Sequence, residues 1–290
     1  MDLYGQSSSW MGFLGGMIKP VVSTAVVAMA VILSFSQKLG LEGEMVHATA
    51  RSFLQLSVVG FVLQFIFAQK NAGWVLLAYL FMVSVAGYTA GRRAAHVPRG
   101  KWIAGASILI GTTATMFLPI ALDVLPFTPQ FFIPVSGMMV GHAMAVTGVT
   151  MKQLHEDIKA QKNLVALEKF LRSARVMNGT TPCEQVEAAL ALGATPRQAT
   201  MQQATRSLVV ALSPDLDSVK TVGLITLPGT MTGLIMGGAS PMEAIQLQIV
   251  ITNMLVGACV MSSILSTYLC LPVFFTKAYQ LDHHVLAAAN

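Results

Sequence analysis

The chain opens on a polar stretch, MDLYGQSSSW, and then alternates long apolar runs with short polar links almost to its end. A helix needs about 20 mostly apolar residues to cross the hydrocarbon core of a bilayer. Runs of that kind lie at 18–36, 50–68, 73–91, 102–122, 131–151, 219–238 and 245–275, the last long enough to tilt. They predict an all-α integral membrane protein, a single transmembrane domain over 1–290 with about seven spans. The sixth run is interrupted by Gly223, Pro228, Gly229, Gly233, Gly237 and Gly238. In lipid such breaks are tolerated only where neighbouring helices or a wet cavity satisfy the freed backbone groups. This span is therefore expected to be buried inside the bundle.

The polar links carry their own signals. PFTP (126–129) predicts a stiff outer turn, because its two prolines fix φ and remove two donors. In GGASPMEA (237–244), Ser240, Pro241 and Glu243 read as the start of the seventh helix. One large polar segment remains, 152–206, between the fifth and sixth spans.

Composition agrees with the pattern. The chain is 54% hydrophobic and 11% charged, with mean hydropathy +0.65, whereas soluble domains carry about 25% charged residues. The net charge of +5 does not form one basic face. Basic residues sit between apolar runs and report orientation, so no nucleic-acid partner is expected. If the links 37–49, 91–101 and 152–206 and the C-terminus face the cytoplasm, only Lys19 and Lys70 stay outside. Lys220 then lies at or within the membrane, out of 18 Lys and Arg. The N-terminus is expected outside and the C-terminus inside. Asp2 and the lack of an early basic region argue against a cleaved targeting segment.

Chemistry in the chain itself is expected to be sparse. Cys183, Cys259 and Cys270 have no metal-binding or even disulfide spacing. Cys259 and Cys270, inside an apolar run, read as small hydrophobes. The sequence contains no G-x-x-x-x-G-K-[ST] nucleotide cradle and no Ser–His–Asp set. A transport subunit, not an enzyme, is expected, with no cofactor bound by this chain.

The polar segment repeats one device. TPCE (181–184) and TPRQ (195–198) both fit a capping box: Thr, Pro at the first helical position, then Glu or Gln at the third. Gly193 between them is placed to end a helix over about 182–192 in the left-handed conformation. A second helix then runs back to the membrane through RQATMQQATRSLVVAL. One reading is an amphipathic helix resting on the bilayer. The other is a docking knob. Glu187, Ala188, Ala189 and Ala191, with no Lys or Arg between Arg175 and Arg197, lack the bulky-apolar and basic faces of a surface helix, and this favours the knob.

EAALALG (187–193) resembles the Glu-Ala-Ala-x-x-x-Gly signature of membrane subunits of ATP-binding cassette transporters. KLGLEGEM (38–45), FLQLSVVGFVLQFIF (53–67), YLFMVSVAGYTAGRRAAHVPRGK (79–101), MMVGHAMAVTGVTMKQL (138–154), ALALGATPRQAT (189–200) and KTVGLITLPGTMTGLIMGGASPMEAIQLQIV (220–250) are similar to the plant aluminium-sensitivity transporter membrane subunits and their bacterial FetB-type relatives. The resemblance covers most of 20–280. It implies a coupling helix, docked by Glu187, Ala188, Ala189, Gly193, Ala194, Thr195 and Pro196 into a separate ATPase subunit that binds ATP and Mg. It also implies a homodimer in a vacuolar, vesicle or plasma membrane. YLFMVSVAGYTAG and QFIFAQ point to the plant branch, which implies export of UDP-glucose-type cargo in aluminium tolerance; the alternative, implied by the bacterial branch, is metal-ion (iron) export. Two departures stand out: an insert at about 166–186, and His142 where relatives commonly carry Asn.

Ionisable groups inside a membrane are functional candidates by default. Asp217 and Lys220 are spaced to share one helical face and are expected first to neutralise each other, a cargo or gating role being the second reading. Asp215 reads as interfacial. Gln55, Gln248 and Asn253 are further pathway candidates, although such groups often bridge helices. His142 is a further pathway candidate, read first as a packing histidine and second as a ligand, and the nearby methionines read as gap fillers. No metal site is expected. The competing class is a stand-alone carrier or channel working without an ATPase.

Overall fold

The computed structural model describes residues 10–69, 72–95, 97–125, 127–173, 193 and 195–275, and every described regular element except an isolated bridge is helical. Two compact units result. In the first, residues 1–70, α1 (Trp10–Ser36) and α2 (Glu42–Gln69) pack on each other across a tight link. Glu42 and Glu44 in the first turn of α2 suit the positive end of its dipole, and Glu42 accepts a hydrogen bond from Ser34 Oγ at 3.1 Å.

The second unit, 71–290, contains α3 (Ala72–Arg93), α4 (Gly100–Ala121), α5 (Pro129–Ser173), α6 (Pro196–Ala199), α7 (Met201–Thr221), α8 (Gly229–Met236) and α9 (Pro241–Cys270), with a closing 3-10 turn at Leu271–Phe274. α3, α4, α5 and α9 make its core; α7 packs on α5 and α9, and α8 on α9. Among the described residues, five helices are long and apolar enough to cross a membrane: Glu42–Phe67, Ala72–Arg93, Gly100–Ala121, Pro129–Lys159 and Pro241–Phe274. Val22–Ser36 is a shorter apolar helix.

Lipid tails are as apolar as leucine, so close backbone packing and hydrogen bonds must hold such helices together. Gly87 and Gly91, four apart on α3, meet α4 backbone to backbone. A Cβ at Gly87 would lie 2.5 Å from Gly105 Cα, and one at Gly91 would lie 2.4 Å from Lys101 Cα. Above them the buried Tyr79 hydroxyl bonds Thr112 Oγ1 at 2.6 Å and Thr113 Oγ1 at 3.0 Å. Its ring meets Phe132 of α5 edge-on at 6.1 Å. Gly111 plays the same part between α4 and α9, where Ser262 occupies the space a side chain would need. The small residues of the fifth span behave unequally. Gly137 and Gly148 face Met82 and Arg93 of α3, whereas a Cβ at Gly141 would meet nothing within 4 Å. Met139 and Met151 are fully buried packing residues, as expected.

Two expectations need correction. The sixth span, 219–238, is not one helix. α7 ends at Thr221, residues 222–228 form a turn with a Val222–Thr226 bridge, and only 229–236 resumes as α8. Gly223 and Pro228 bound the break: the chain leaves the helix at Val222 and turns at Gly223, φ +83°, while Pro228, with no N–H to continue a helix, drives the residue before it toward extended backbone. α8 then stops in a Schellman arrangement, with Gly238 at φ +96° and Ala239 N–H donating to Leu234 O at 3.0 Å. Nor is this stretch buried. Leu224, Ile225, Leu227 and Met236 are exposed in the single chain and α8 contributes no buried residue. The second concerns the fifth helix, expected over 131–151, which continues into the polar segment 152–206. α5 runs unbroken for 45 residues to Ser173, roughly 67 Å at 1.5 Å per residue. Ser240, by contrast, caps α9 as expected: its hydroxyl accepts from Glu243 N–H at 3.2 Å while Glu243 Oε2 accepts from Ser240 N–H at 3.3 Å.

Candidate functional site

Of the punctuation predicted for the polar corner, the described residues include Gly193 and the second capping box; the first box at 181–184 and the helix over about 182–192 lie outside them. Gly193 sits at φ +89°, a left-handed conformation that costs other residues roughly 1–2 kcal/mol. Two residues on, Thr195 caps α6 as the sequence pattern requires. Thr195 N–H donates to Gln198 Oε1 at 3.0 Å, and Gln198 N–H donates back to Thr195 Oγ1 at 3.4 Å. Pro196 opens the helix, where its missing donor costs nothing. Thr181, Glu187, Ala188, Ala189 and Ala194 lie outside the described residues.

Where the corner points is something the sequence pattern did not reveal. The Arg197 guanidinium lies 4.3 Å over the Tyr268 ring, in the last turn of α9. α6 also rests on the 3-10 turn that follows. In that turn Phe274 is fully buried, with its ring 5.9 Å from His155 of α5. The corner is thus attached to the end of α9 and, through the turn at Phe274, leans on α5 at His155; these are the two most buried apolar helices.

Further along, α5, α7 and α9 bring three ionisable groups together. Asp215 Oδ1 accepts from His142 Nδ1 at 2.9 Å, and Cys259 completes a group whose ligand-type atoms all lie within 4.8 Å of one another. Local packing explains the convergence. Val146, one turn beyond His142, Ala211, one turn before Asp215, and Cys259 itself form a small buried apolar cluster. That cluster is the floor. Cys259 is 1% exposed, whereas the side chains of His142 and Asp215 retain 45% and 21% of their exposure. The group is therefore open on one side and apolar on the other.

The remaining candidates are distributed differently. Lys220 Nζ donates to Asp217 Oδ1 at 2.8 Å, both side chains being mostly exposed; this is the mutual neutralisation expected from their spacing. Gln248 is buried and joins helices, its Oε1 accepting from Thr230 of α8 and its Nε2 donating to Thr252 at 3.2 Å. Asn253 is exposed on α9. Gln55 is exposed on α2 of the first unit. Sequence reasoning left Asp215, Cys259 and Tyr268 out of the candidate sites. His142 and Asp215 are 73 positions apart, and no local spacing signals a contact of that range.

Comparison with known proteins gives these elements a setting. The profile of the uncharacterised protein family UPF0014 matches residues 17–172 and 165–275. The chain belongs to the UPF0014 family. The two matched stretches meet at the start of the segment taken from sequence as an insert. This UPF0014 chain is 65% identical to the Protein ALUMINUM SENSITIVE 3 of Arabidopsis thaliana, over 95% of its own length and 93% of the relative's. It is 66% identical to the UPF0014 membrane protein STAR2 of Oryza sativa subsp. japonica, over 98% and 92%. It is 32% identical to the probable iron export permease protein FetB of Escherichia coli, over 88% and 91%. No solved structure matches it. Together with its apolar helices, membership makes the chain a multi-pass integral membrane protein.

Proposed function

We propose that this chain is the membrane-spanning permease subunit of an ATP-binding cassette exporter, driven by an ATPase on a separate polypeptide. The observation that carries this reading is the corner at Gly193–Gln198. Gly193 is left-handed, a closed capping box fixes the start of α6, and Arg197 ties that helix to the end of α9. A push on such a corner is passed to a membrane helix instead of being absorbed by a loop. The similarity to a permease named for iron export supports the same class.

The assembly we propose is a homodimer, with seven spans per chain, the N-terminus outside and the cytoplasmic corner facing the ATPase. The broken sixth span supports the dimer. Irregular backbone at membrane depth requires protein or water around it, yet no residue of 222–236 is buried within the chain, and a second copy is the cover we propose. On cargo, Lys220 is the basic group expected in the spans, and Asp217 already neutralises it. A nucleotide sugar such as UDP-glucose, with two phosphates, finds little there. His142 and Asp215 suit a cation better, and we favour metal-ion export as the activity behind a role in aluminium tolerance like that named for the Arabidopsis relative.

The test is capture of the ATPase by the purified chain, with Glu187→Arg and Gly193→Leu alongside wild type. Both variants are expected to lose the partner. Retention by both, or transport in vesicles holding this chain alone, refutes the coupled reading and favours a stand-alone carrier.

A further inference from the structure

We infer that His142, Asp215 and Cys259 form a binding site for a borderline divalent transition metal such as Zn²⁺ or Co²⁺, at the junction of α5, α7 and α9. The inference deepens the metal-cargo reading above, but it concerns this chain alone and is tested without any ATPase.

The donor set is the first reason. One imidazole nitrogen, one carboxylate oxygen and one sulfur lie within 4.8 Å of one another. Metal bonds of about 2.0–2.2 Å to nitrogen and oxygen and 2.3 Å to sulfur place tetrahedral ligands roughly 3.3–3.6 Å apart. The His142–Asp215 contact at 2.9 Å must open slightly and the longer edges must close by about 1 Å, which side-chain rotation supplies. The second reason is access. Two donors face outward and the third lies beneath them on an apolar floor, so an ion has an entry side, and the floor lowers the local dielectric. The third is that the donors come from three separate helices, and so a bound ion ties together the α5–α7–α9 junction.

Binding breaks the Cys259 S–H bond, releases that proton to water, and forms one bond each from sulfur, nitrogen and oxygen to the metal. The fourth position stays open to water, as in sites that exchange ligands. Selectivity follows from donor softness. Thiolate and imidazole favour Zn²⁺ and Co²⁺, while Mg²⁺ prefers all-oxygen sites, and Al³⁺, harder still, is expected to be rejected.

The experiment titrates Co²⁺ into the full-length chain purified in detergent and follows the thiolate-to-cobalt charge-transfer band. Wild type, Cys183→Ser and Cys270→Ser are expected to develop the band and saturate at an equimolar ratio, with Zn²⁺ displacing Co²⁺ and Al³⁺ and Mg²⁺ leaving it intact. Cys259→Ser is expected to abolish the band. His142→Asn and Asp215→Asn are expected to weaken Co²⁺ by more than the roughly 10–100-fold that loss of an outer partner costs a metal site. No band, a band that survives Cys259→Ser, or folded His142→Asn protein with wild-type affinity overturns the site. If Cys259→Ser does not fold, the outward-facing His142→Asn decides. Loss of Co²⁺ binding in a variant that still captures the ATPase separates this inference from the coupling reading.

Discussion

The α3–α4 contact allows a sharp test of how this membrane domain holds together. Gly87, Gly91 and Gly105 all lie at that crossing, yet they differ in what an added methyl would meet. At Gly91 a Cβ would fall 2.4 Å from Lys101 Cα and 2.6 Å from Lys101 N; at Gly87 it would fall 2.5 Å from Gly105 Cα. These are backbone atoms that cannot rotate away. Carbon atoms sit comfortably at about 3.5–4.0 Å, so the helices must separate by about 1 Å or more. At Gly105 the nearest atom is 3.9 Å off, an ordinary contact. Alanine is intrinsically about 1 kcal/mol better than glycine in a helix, and that gain is common to all three changes. Taking Gly105→Ala as reference removes it. What remains for Gly87→Ala or Gly91→Ala is overpacking, about 1–3 kcal/mol. At roughly 2–4 °C per kcal/mol for a chain of this size class, the midpoint falls by roughly 4–8 °C for a ~2 kcal/mol loss. Thermal unfolding in detergent, followed by circular dichroism, measures it. Equal midpoints for Gly91→Ala and Gly105→Ala would show that this crossing does not depend on backbone proximity.

Other outcomes follow from the corner and the spans. Thr195→Ala removes the cap on α6 and is expected to cost about 1 kcal/mol locally, seen as weaker ATPase capture that Thr195→Ser restores. Arg197→Ala or Tyr268→Ala removes a contact worth roughly 0.5–1 kcal/mol; capture is expected to survive while ATP-driven transport falls, and equal loss of both places Arg197 in the docking surface instead. Gln248→Leu frees Thr230 and is expected to lower the unfolding midpoint only slightly, since such bonds average about 0.6 kcal/mol in a membrane; a large fall signals a wider network. Lys220→Gln breaks a mostly exposed pair of small worth, so unchanged transport is expected, and a strong loss in reconstituted complexes would return Lys220 to the pathway.

Local rules made part of this protein legible in one dimension. A run of apolar residues long enough to cross a bilayer must be helical wherever water is absent, so most spans were readable directly. Caps are equally local: Ser240 with Glu243, and Thr195 with Gln198, act across three residues and form as their spacing requires. Asp217 and Lys220 pair for the same reason. Two misreadings also had local causes. Gly223 and Pro228, which bound the break, are visible in the sequence, but lipid's demand for regular backbone argues the other way, and the helix past 151 persists because no breaker stands in it before Ser173.

Tertiary packing decided the rest. His142, Asp215 and Cys259 lie on three helices and meet only because Val146, Ala211 and Cys259 pack beneath them. Arg197 found Tyr268 because the chain returns to the C-terminal end of α9. Helix periodicity tells which face a residue occupies, but not which neighbour that face will meet. That choice rests on packing between surfaces far apart in the chain.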